Sequence, residues 1–202
     1  LVMEYIEGNV LARHVSIAGP LPVDFGLKIV RQAAVALQYA HGQGVTHRDI
    51  KPHNIVITRE DETSDLHVTI LDLGLARIDT LLEEAPDSSS PAAMTRTGVI
   101  MGTVDYMSPE QARGDAIRTQ SDLYSLGAVL FELLAGRPTF EKKGIPALLY
   151  NIAYEKVPDI QTIRDNVPDA LAALIGLLSL RVKAIFFAMI TLAAASVMLV
   201  LA

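Results

Sequence analysis

The segment SDLYSLGAVLFELLAG, residues 121–136, constrains the fold more than any other part of the chain. It starts at Ser121, a residue type that favours helix starts, and it ends at Gly136, which is soon followed by Pro138. Most side chains between these ends are apolar. Because a helix this apolar is stable only when it is largely buried, we predict that this helix lies in the core of the domain.

Three further helices and one β-hairpin are predicted in addition to this buried helix. One helix precedes the breakers Gly42 and Gly44, and its apolar positions have helical spacing: Leu27, Val30, Ala34 and Leu37. Two more are expected at about residues 145–155 and 169–180. The stretches NIVIT and LHVTIL are rich in β-branched and apolar residues, which is typical of strands. Together these elements predict a mainly α (α+β) domain.

Composition excludes several classes of function. The formal net charge is -6 over 202 residues, whereas nucleic-acid-binding domains usually carry a basic excess. The chain has no cysteine, so it can form neither disulfides nor thiolate metal sites. We therefore expect protein or small-molecule partners and no nucleic acid.

The C-terminal segment, residues 184–202, is uncharged and has the length of a membrane-spanning helix. At 1.5 Å per residue it would extend over roughly the 30 Å of a hydrocarbon core. Arg181 and Lys183 precede it, which by the positive-inside rule keeps the domain on the cytoplasmic side. We expect a single-pass helix in the inner (plasma) membrane; the alternative is a buried Ala-rich helix in a cytoplasmic protein.

Residues 79–97, rich in Ser, Pro, Thr and acids, are expected to form a loop.

The motif HRDIKPHN, residues 47–54, carries the chemistry. Asp49, Lys51 and Asn54 stand at short fixed offsets, and Asp72 follows at the end of a predicted strand. Phosphoryl transfer needs a carboxylate that accepts the acceptor's proton, a cation near the moving phosphoryl group, and oxygen ligands for Mg²⁺. These four residues fit those roles.

The ordered motifs resemble eukaryotic-type (Hanks-type) serine/threonine protein kinases, in particular their bacterial branch. LVMEYIEG is similar to the hinge, HRDIKPHN to the catalytic loop, DLG to the metal-binding motif and GTVDYMSPE to the end of the activation segment. The specified positions of the catalytic loop would arise by chance at on the order of one in three million sites. The resemblance implies a kinase-like large lobe over residues 1–180, hinge included, followed by the hydrophobic helix at 184–202.

The resemblance also implies an ATP- and Mg²⁺-dependent enzyme that phosphorylates protein Ser and Thr hydroxyls. Asp49 would be the catalytic base, Lys51 the cation at the phosphate, and Asn54 and Asp72 the metal ligands. The nucleotide-binding positions would comprise a gatekeeper, two hinge backbones that bind adenine and a residue beneath the ring: Met3, Glu4, Ile6 and Val56.

Regulation of the activation segment is implied as well. In such kinases an arginine at the position of Arg48 binds a phosphate group on this segment. Thr95 and Thr97 match the positions that are phosphorylated. Self-association would allow one copy to phosphorylate another. His47 would pack against the metal-binding motif, and three residues would support the segment and loop: Thr103, Glu110 and Asp122.

Two departures from the family pattern bear on activity. The Gly-rich loop, strand lysine and helix glutamate of the smaller N-terminal lobe have no counterpart in these residues, so we expect the chain to be the larger lobe of a longer reading frame. Glu110 is expected to lack its usual arginine partner, with Arg181 a poor substitute. The alternative is a truncated, non-catalytic lobe that acts as a binding module or membrane-anchored relic.

Overall fold

The computed structural model describes residues 5–59, 65–72, 104–141 and 144–177. Its strands and helices follow one another in this order: β1 (Asn9–Val10), α1 (Leu11–Ala18), α2 (Val23–Gly42), β2 (Ile55–Thr58), β3 (His67–Ile70), α3 (Pro109–Arg113), α4 (Thr119–Ala135), α5 (Ile145–Tyr154) and α6 (Asp169–Leu177). Three short 3-10 turns lie at Pro52–Asn54, Val104–Tyr106 and Ile160–Thr162.

Helix α4 lies in the main core, so the burial that its apolar sequence predicts is confirmed. Its fully buried side chains include Leu126, Phe131 and Leu134. Helix α2 lies against it at Gly26, where an added Cβ would stand 3.4 Å from a methyl of Leu134. The helix begins at Thr119, two residues before the predicted start, because Ser121 is a buried residue of the first turn rather than the cap.

The predicted hairpin is present and gains a third strand. Strand β2 lies in the middle of an antiparallel sheet, with β1 on one side and β3 on the other. Gly8 precedes β1 and passes so close to β2 that a Cβ there would lie 2.6 Å from Val56 Cγ1 and 2.7 Å from Thr58 Oγ1. The start of the described chain is therefore held directly against β2.

Helices α2, α5 and α6 agree with the sequence predictions within the described residues, whereas α1 was not predicted. Helix α1 is amphipathic and buries Leu11 and Val15. None of the helices in the described ranges has both the length and the apolar character needed to cross a bilayer. The segments 79–97 and 184–202, for which a loop and a membrane helix are predicted, lie outside those ranges.

Two helix-ending glycines offer a matched test of packing near the core. Gly136 and Gly114 both have left-handed backbones, with φ of 69° and 74°. A Cβ at Gly136 would meet the rigid ring of Pro20 at 2.7 Å, whereas one at Gly114 would meet nothing within 4 Å. Gly114→Ala should lower the free energy of unfolding by about 1 kcal/mol, from backbone strain alone. Gly136→Ala should lower it by about 1 to 3 kcal/mol more, because the Pro20 ring must move.

Urea unfolding of the two variants measures this difference directly. Equal midpoints for Gly136→Ala and Gly114→Ala would show that the contact with Pro20 carries no cost.

Candidate active site

The loop between α2 and β2 carries the cluster of charged and amide side chains. Its last turn is the 3-10 segment Pro52–Asn54, where the amide of Asn54 donates to the carbonyl of Lys51 at 2.9 Å. The carbonyl of Asn54 accepts from the amide of Leu71 at 2.8 Å. This bond fixes the end of the loop to the residue just before Asp72.

Asp49, Lys51 and Asn54 come together as their spacing predicts. Lys51 Nζ donates to Asp49 Oδ2 at 2.6 Å, and both side chains are 15% exposed. The Asn54 amide nitrogen donates to the Asp49 carbonyl at 2.9 Å and to Oδ2 at 3.2 Å. The carboxylate is thus oriented by a cation and an amide, yet it remains accessible to a molecule from solvent.

His47 is a fully buried structural residue whose two ring nitrogens have different roles. Nδ1 accepts from the backbone amide of Asp49 at 3.3 Å, so the proton is assigned to Nε2. Nε2 then donates to the carbonyl of Leu71 at 2.8 Å. The ring therefore links the backbone of Asp49 to the residue before Asp72.

Asp122 anchors the loop from helix α4. Its Oδ2 accepts from the amide of His47 at 2.8 Å and its Oδ1 from the amide of Arg48 at 2.7 Å. His41 Nε2, at the end of α2, lies 2.7 Å from Oδ2, and the Asp122 side chain is fully buried. His41 was not singled out by the sequence analysis, because only the packing of α2 on α4 brings it to Asp122.

Two residues of the site have left-handed backbones that their residue types rarely adopt. Arg48 has φ of 70° and Asp72 has φ of 51°. Such conformations persist only where surrounding contacts impose them, and they are common at functional sites. The Nε of Arg48 is buried and has no hydrogen-bond partner among the described residues. A buried guanidinium nitrogen without a partner is suited to an anion.

The oxygen atoms of Asn54 and Asp72 suit a hard divalent cation. Asn54 turns its amide nitrogen to Asp49, which leaves Oδ1 for other ligands. Asp72 is exposed at the end of β3. Mg²⁺ is usually held by one or two protein oxygens together with phosphates and water. The described residues contain no group of three or more His, Cys, Asp or Glu placed to hold a metal.

The expected lack of an arginine partner stays a prediction, since Arg181 lies outside the described residues, but a hydrogen bond is present at Glu110. Its carboxylate accepts a hydrogen bond from the hydroxyl of Ser121, in the first turn of α4. Helix α3 is thereby joined to the same helix that carries Asp122. The neighbouring Gln111 donates from Nε2 to the carbonyl of Arg48 at 2.8 Å, a contact that the sequence analysis did not foresee.

Comparison with known protein families identifies the family of this chain. The model of the protein kinase domain matches residues 1–182. The chain belongs to the protein kinase family. The resemblance seen in the sequence motifs is therefore confirmed over nearly the whole chain.

Curated bacterial kinases are among the relatives. The chain is 42% identical over 140 residues to "Serine/threonine-protein kinase PknB" of Mycobacterium leprae, covering 69% of this chain and 20% of that protein. It is 36% identical over 175 residues to "Serine/threonine-protein kinase PrkC" of Bacillus subtilis, covering 87% and 25%. The match to "Probable serine/threonine-protein kinase PknB" of Lactococcus lactis is 33% over 171 residues, covering 85% and 25%. The chain thus spans about a fifth to a quarter of these relatives' lengths.

The nucleotide-binding and regulatory positions of this kinase-family chain are only partly described. Ile6 is half-buried, and Val56 is 3% exposed in β2, against the backbone at Gly8. These contacts bring the hinge-like segment and Val56 together. The remaining predicted positions lie outside the described residues: Met3, Glu4, Thr95, Thr97 and Thr103.

Proposed function

We propose that this chain is the catalytic large lobe of a serine/threonine protein kinase. The observation that carries the proposal is the Asp49 carboxylate, oriented by Lys51 and Asn54 in a loop that Asp122 anchors. The similarity to bacterial serine/threonine-protein kinases supports Ser and Thr as the acceptors.

In the proposed reaction the acceptor hydroxyl approaches Asp49, which takes its proton as the oxygen attacks the γ-phosphorus of ATP. A new O–P bond forms, the bond to the β-phosphate oxygen breaks, and ADP leaves. Lys51 offsets the negative charge of the phosphoryl group that is transferred next to Asp49. Asn54 Oδ1 and the Asp72 carboxylate would hold the divalent ion, which we propose is Mg²⁺. When bound, this ion neutralises the charge of the ATP phosphates.

The adenine would lie over Val56, with Met3 as gatekeeper and the backbones of Glu4 and Ile6 as its hydrogen-bond partners. The close approach of Gly8, at the end of the hinge-like segment, to Val56 supports this placement. Adenine needs an apolar surface beneath the ring and polar partners at one edge, and these positions supply both.

We also propose that phosphate on Thr95 or Thr97 pairs with Arg48. Support comes from the buried Nε of Arg48, for which no partner lies among the described residues. A phosphothreonine brings strong acceptor oxygens and about −1.5 to −2 charges. Transfer between two copies of the chain would supply the modification.

The anchoring proposal rests on the sequence of residues 184–202 and the preceding Arg181 and Lys183. It places the kinase at the cytoplasmic face of the inner (plasma) membrane by a single-pass helix. Recovery of the protein in the soluble fraction without detergent would reject this anchor and favour the cytoplasm.

Metal dependence tests the proposed reaction. The natural gene product containing residues 1–202 should transfer ³²P from [γ-³²P]ATP to protein acceptors with Mg²⁺, lose this activity in EDTA, and regain it with excess Mg²⁺. Asp72→Asn should require more Mg²⁺ for half-maximal rate, because one anionic ligand is lost. Asp115→Asn, which alters an exposed carboxylate paired with Arg113, should not.

Labelling that persists in EDTA would contradict the proposed use of metal. No ATP-dependent labelling under any condition would instead favour the non-catalytic lobe.

A further inference from the structure

Gln111 uses both ends of its side-chain amide. Its Oε1 accepts from the backbone amide of Ser108 at 2.9 Å, and the Ser108 hydroxyl accepts from the Gln111 backbone amide at 3.4 Å. This reciprocal pair is a capping box at the start of helix α3. The Nε2 group has no part in the box and donates to the carbonyl of Arg48 at 2.8 Å.

The peptide group that accepts this bond joins Arg48 to Asp49. Its carbonyl is held by Gln111, and its N–H, which belongs to Asp49, is held by Nδ1 of His47. Both polar atoms of the peptide plane are therefore tied. Because Arg48 has a left-handed φ of 70°, this plane lies next to a backbone conformation that needs outside contacts to persist.

Asp122 cannot replace the contact from Gln111. Its two carboxylate oxygens bind the amides of His47 and Arg48, on the N-terminal side of the peptide in question. The Arg48 carbonyl belongs to the next peptide group, and its donor is Gln111 of helix α3. The loop is thus clamped, that is, held by side-chain hydrogen bonds from both α4 and α3.

We propose that Gln111 is a positioning residue, which orients the Asp49 backbone and so the proposed catalytic base. The inference rests on the proposed function for its catalytic part, although the clamp itself can be tested without activity. The same contact links helix α3 to the residue before the proposed base. In the sequence, α3 follows the segment that carries Thr95 and Thr97.

The chain offers a sharp substitution at this position. Gln111→Glu keeps the size of the side chain and the acceptor that completes the capping box, since Glu and Gln serve equally there. It removes the N–H donor and turns a carboxylate oxygen toward the Arg48 carbonyl. Ser108→Ala is the matched control, because it weakens the capping box and leaves the Gln111 donor in place. Gln111→Met is a second variant that lacks the donor without adding charge.

The first readout is native-state hydrogen exchange at the Asp49 amide, which needs no catalysis. We expect about tenfold faster exchange in Gln111→Glu and Gln111→Met, the change expected for loss of one buried hydrogen bond. Ser108→Ala should leave this amide within about twofold of the native rate. An unchanged exchange rate in both Gln111 variants would contradict the claim that Gln111 holds the peptide group between Arg48 and Asp49.

The second readout is the division between kcat and KM for ATP. Both Gln111 variants should lower kcat by about tenfold with KM changed less than about twofold, as expected when a positioning contact is lost. Faster exchange at Asp49 with native kcat would overturn the positioning role. A native protein with no transfer activity would refute the proposed function instead, and the exchange measurement would still decide the clamp.

Discussion

Replacing Asp49 with asparagine is expected to lower kcat for phosphate transfer by about 10²- to 10⁴-fold, the usual contribution of a general base. Asparagine has nearly the same volume and retains an oxygen that can accept from Lys51 Nζ. It cannot take the proton of the acceptor hydroxyl. Stability and nucleotide affinity should therefore change little, while the chemical step is lost.

Initial rates of ³²P transfer and equilibrium binding of ADP with Mg²⁺ separate these effects. Asp115→Asn is the control, because Asp115 is 54% exposed and pairs only at the surface with Arg113. A variant Asp49→Asn that retains native kcat would remove Asp49 from the mechanism. A parallel loss of ADP binding would show that the substitution disturbed the nucleotide site rather than the base.

Replacing Asp122 with alanine should destabilise the domain by about 3 to 5 kcal/mol, the range for removal of one partner from a buried charged network. Three donors lose their acceptor at once: the amides of His47 and Arg48, and His41 Nε2. The Asp122 side chain is fully buried, so water cannot replace the carboxylate without structural change. This loss is a large share of the roughly 5 to 15 kcal/mol that stabilises a typical domain.

Asp122→Asn serves as the isosteric comparison. One side-chain oxygen remains as an acceptor, but an NH₂ group now meets a donor, so the loss of stability should lie between the native protein and Asp122→Ala. Urea unfolding followed by circular dichroism measures all three proteins. Asp115→Ala, which removes an exposed carboxylate, is measured beside them as the control. An unfolding midpoint for Asp122→Ala equal to that of Asp115→Ala would contradict the role of Asp122 in anchoring the loop.

Local signals made the main elements predictable. The central helix α4 and helix α2 could be predicted because apolar spacing and terminal glycines act within one helix. The approach of Lys51 and Asn54 to Asp49 could be anticipated because all three share one short loop. Sequence motifs alone therefore located the residues that form the candidate site.

Contacts between elements could not be predicted in the same way. The partner of Glu110 is Ser121, which depends on how α3 meets the first turn of α4. His41 reaches Asp122 across 81 positions of the chain, and Gln111 reaches Arg48 across 63. Helix α1 was missed because its eight residues give too weak a periodic signal before Leu11 and Val15 are packed.

Phosphoamino-acid analysis tests the central claim most directly. The natural gene product and its Asp49→Asn variant are incubated with [γ-³²P]ATP, Mg²⁺ and a protein acceptor rich in Ser, Thr and Tyr, then hydrolysed in acid. We predict label in phosphoserine and phosphothreonine for the native protein and loss of that label in Asp49→Asn. Label in phosphotyrosine alone, or equal label from both proteins, would contradict a serine/threonine kinase with Asp49 as its base.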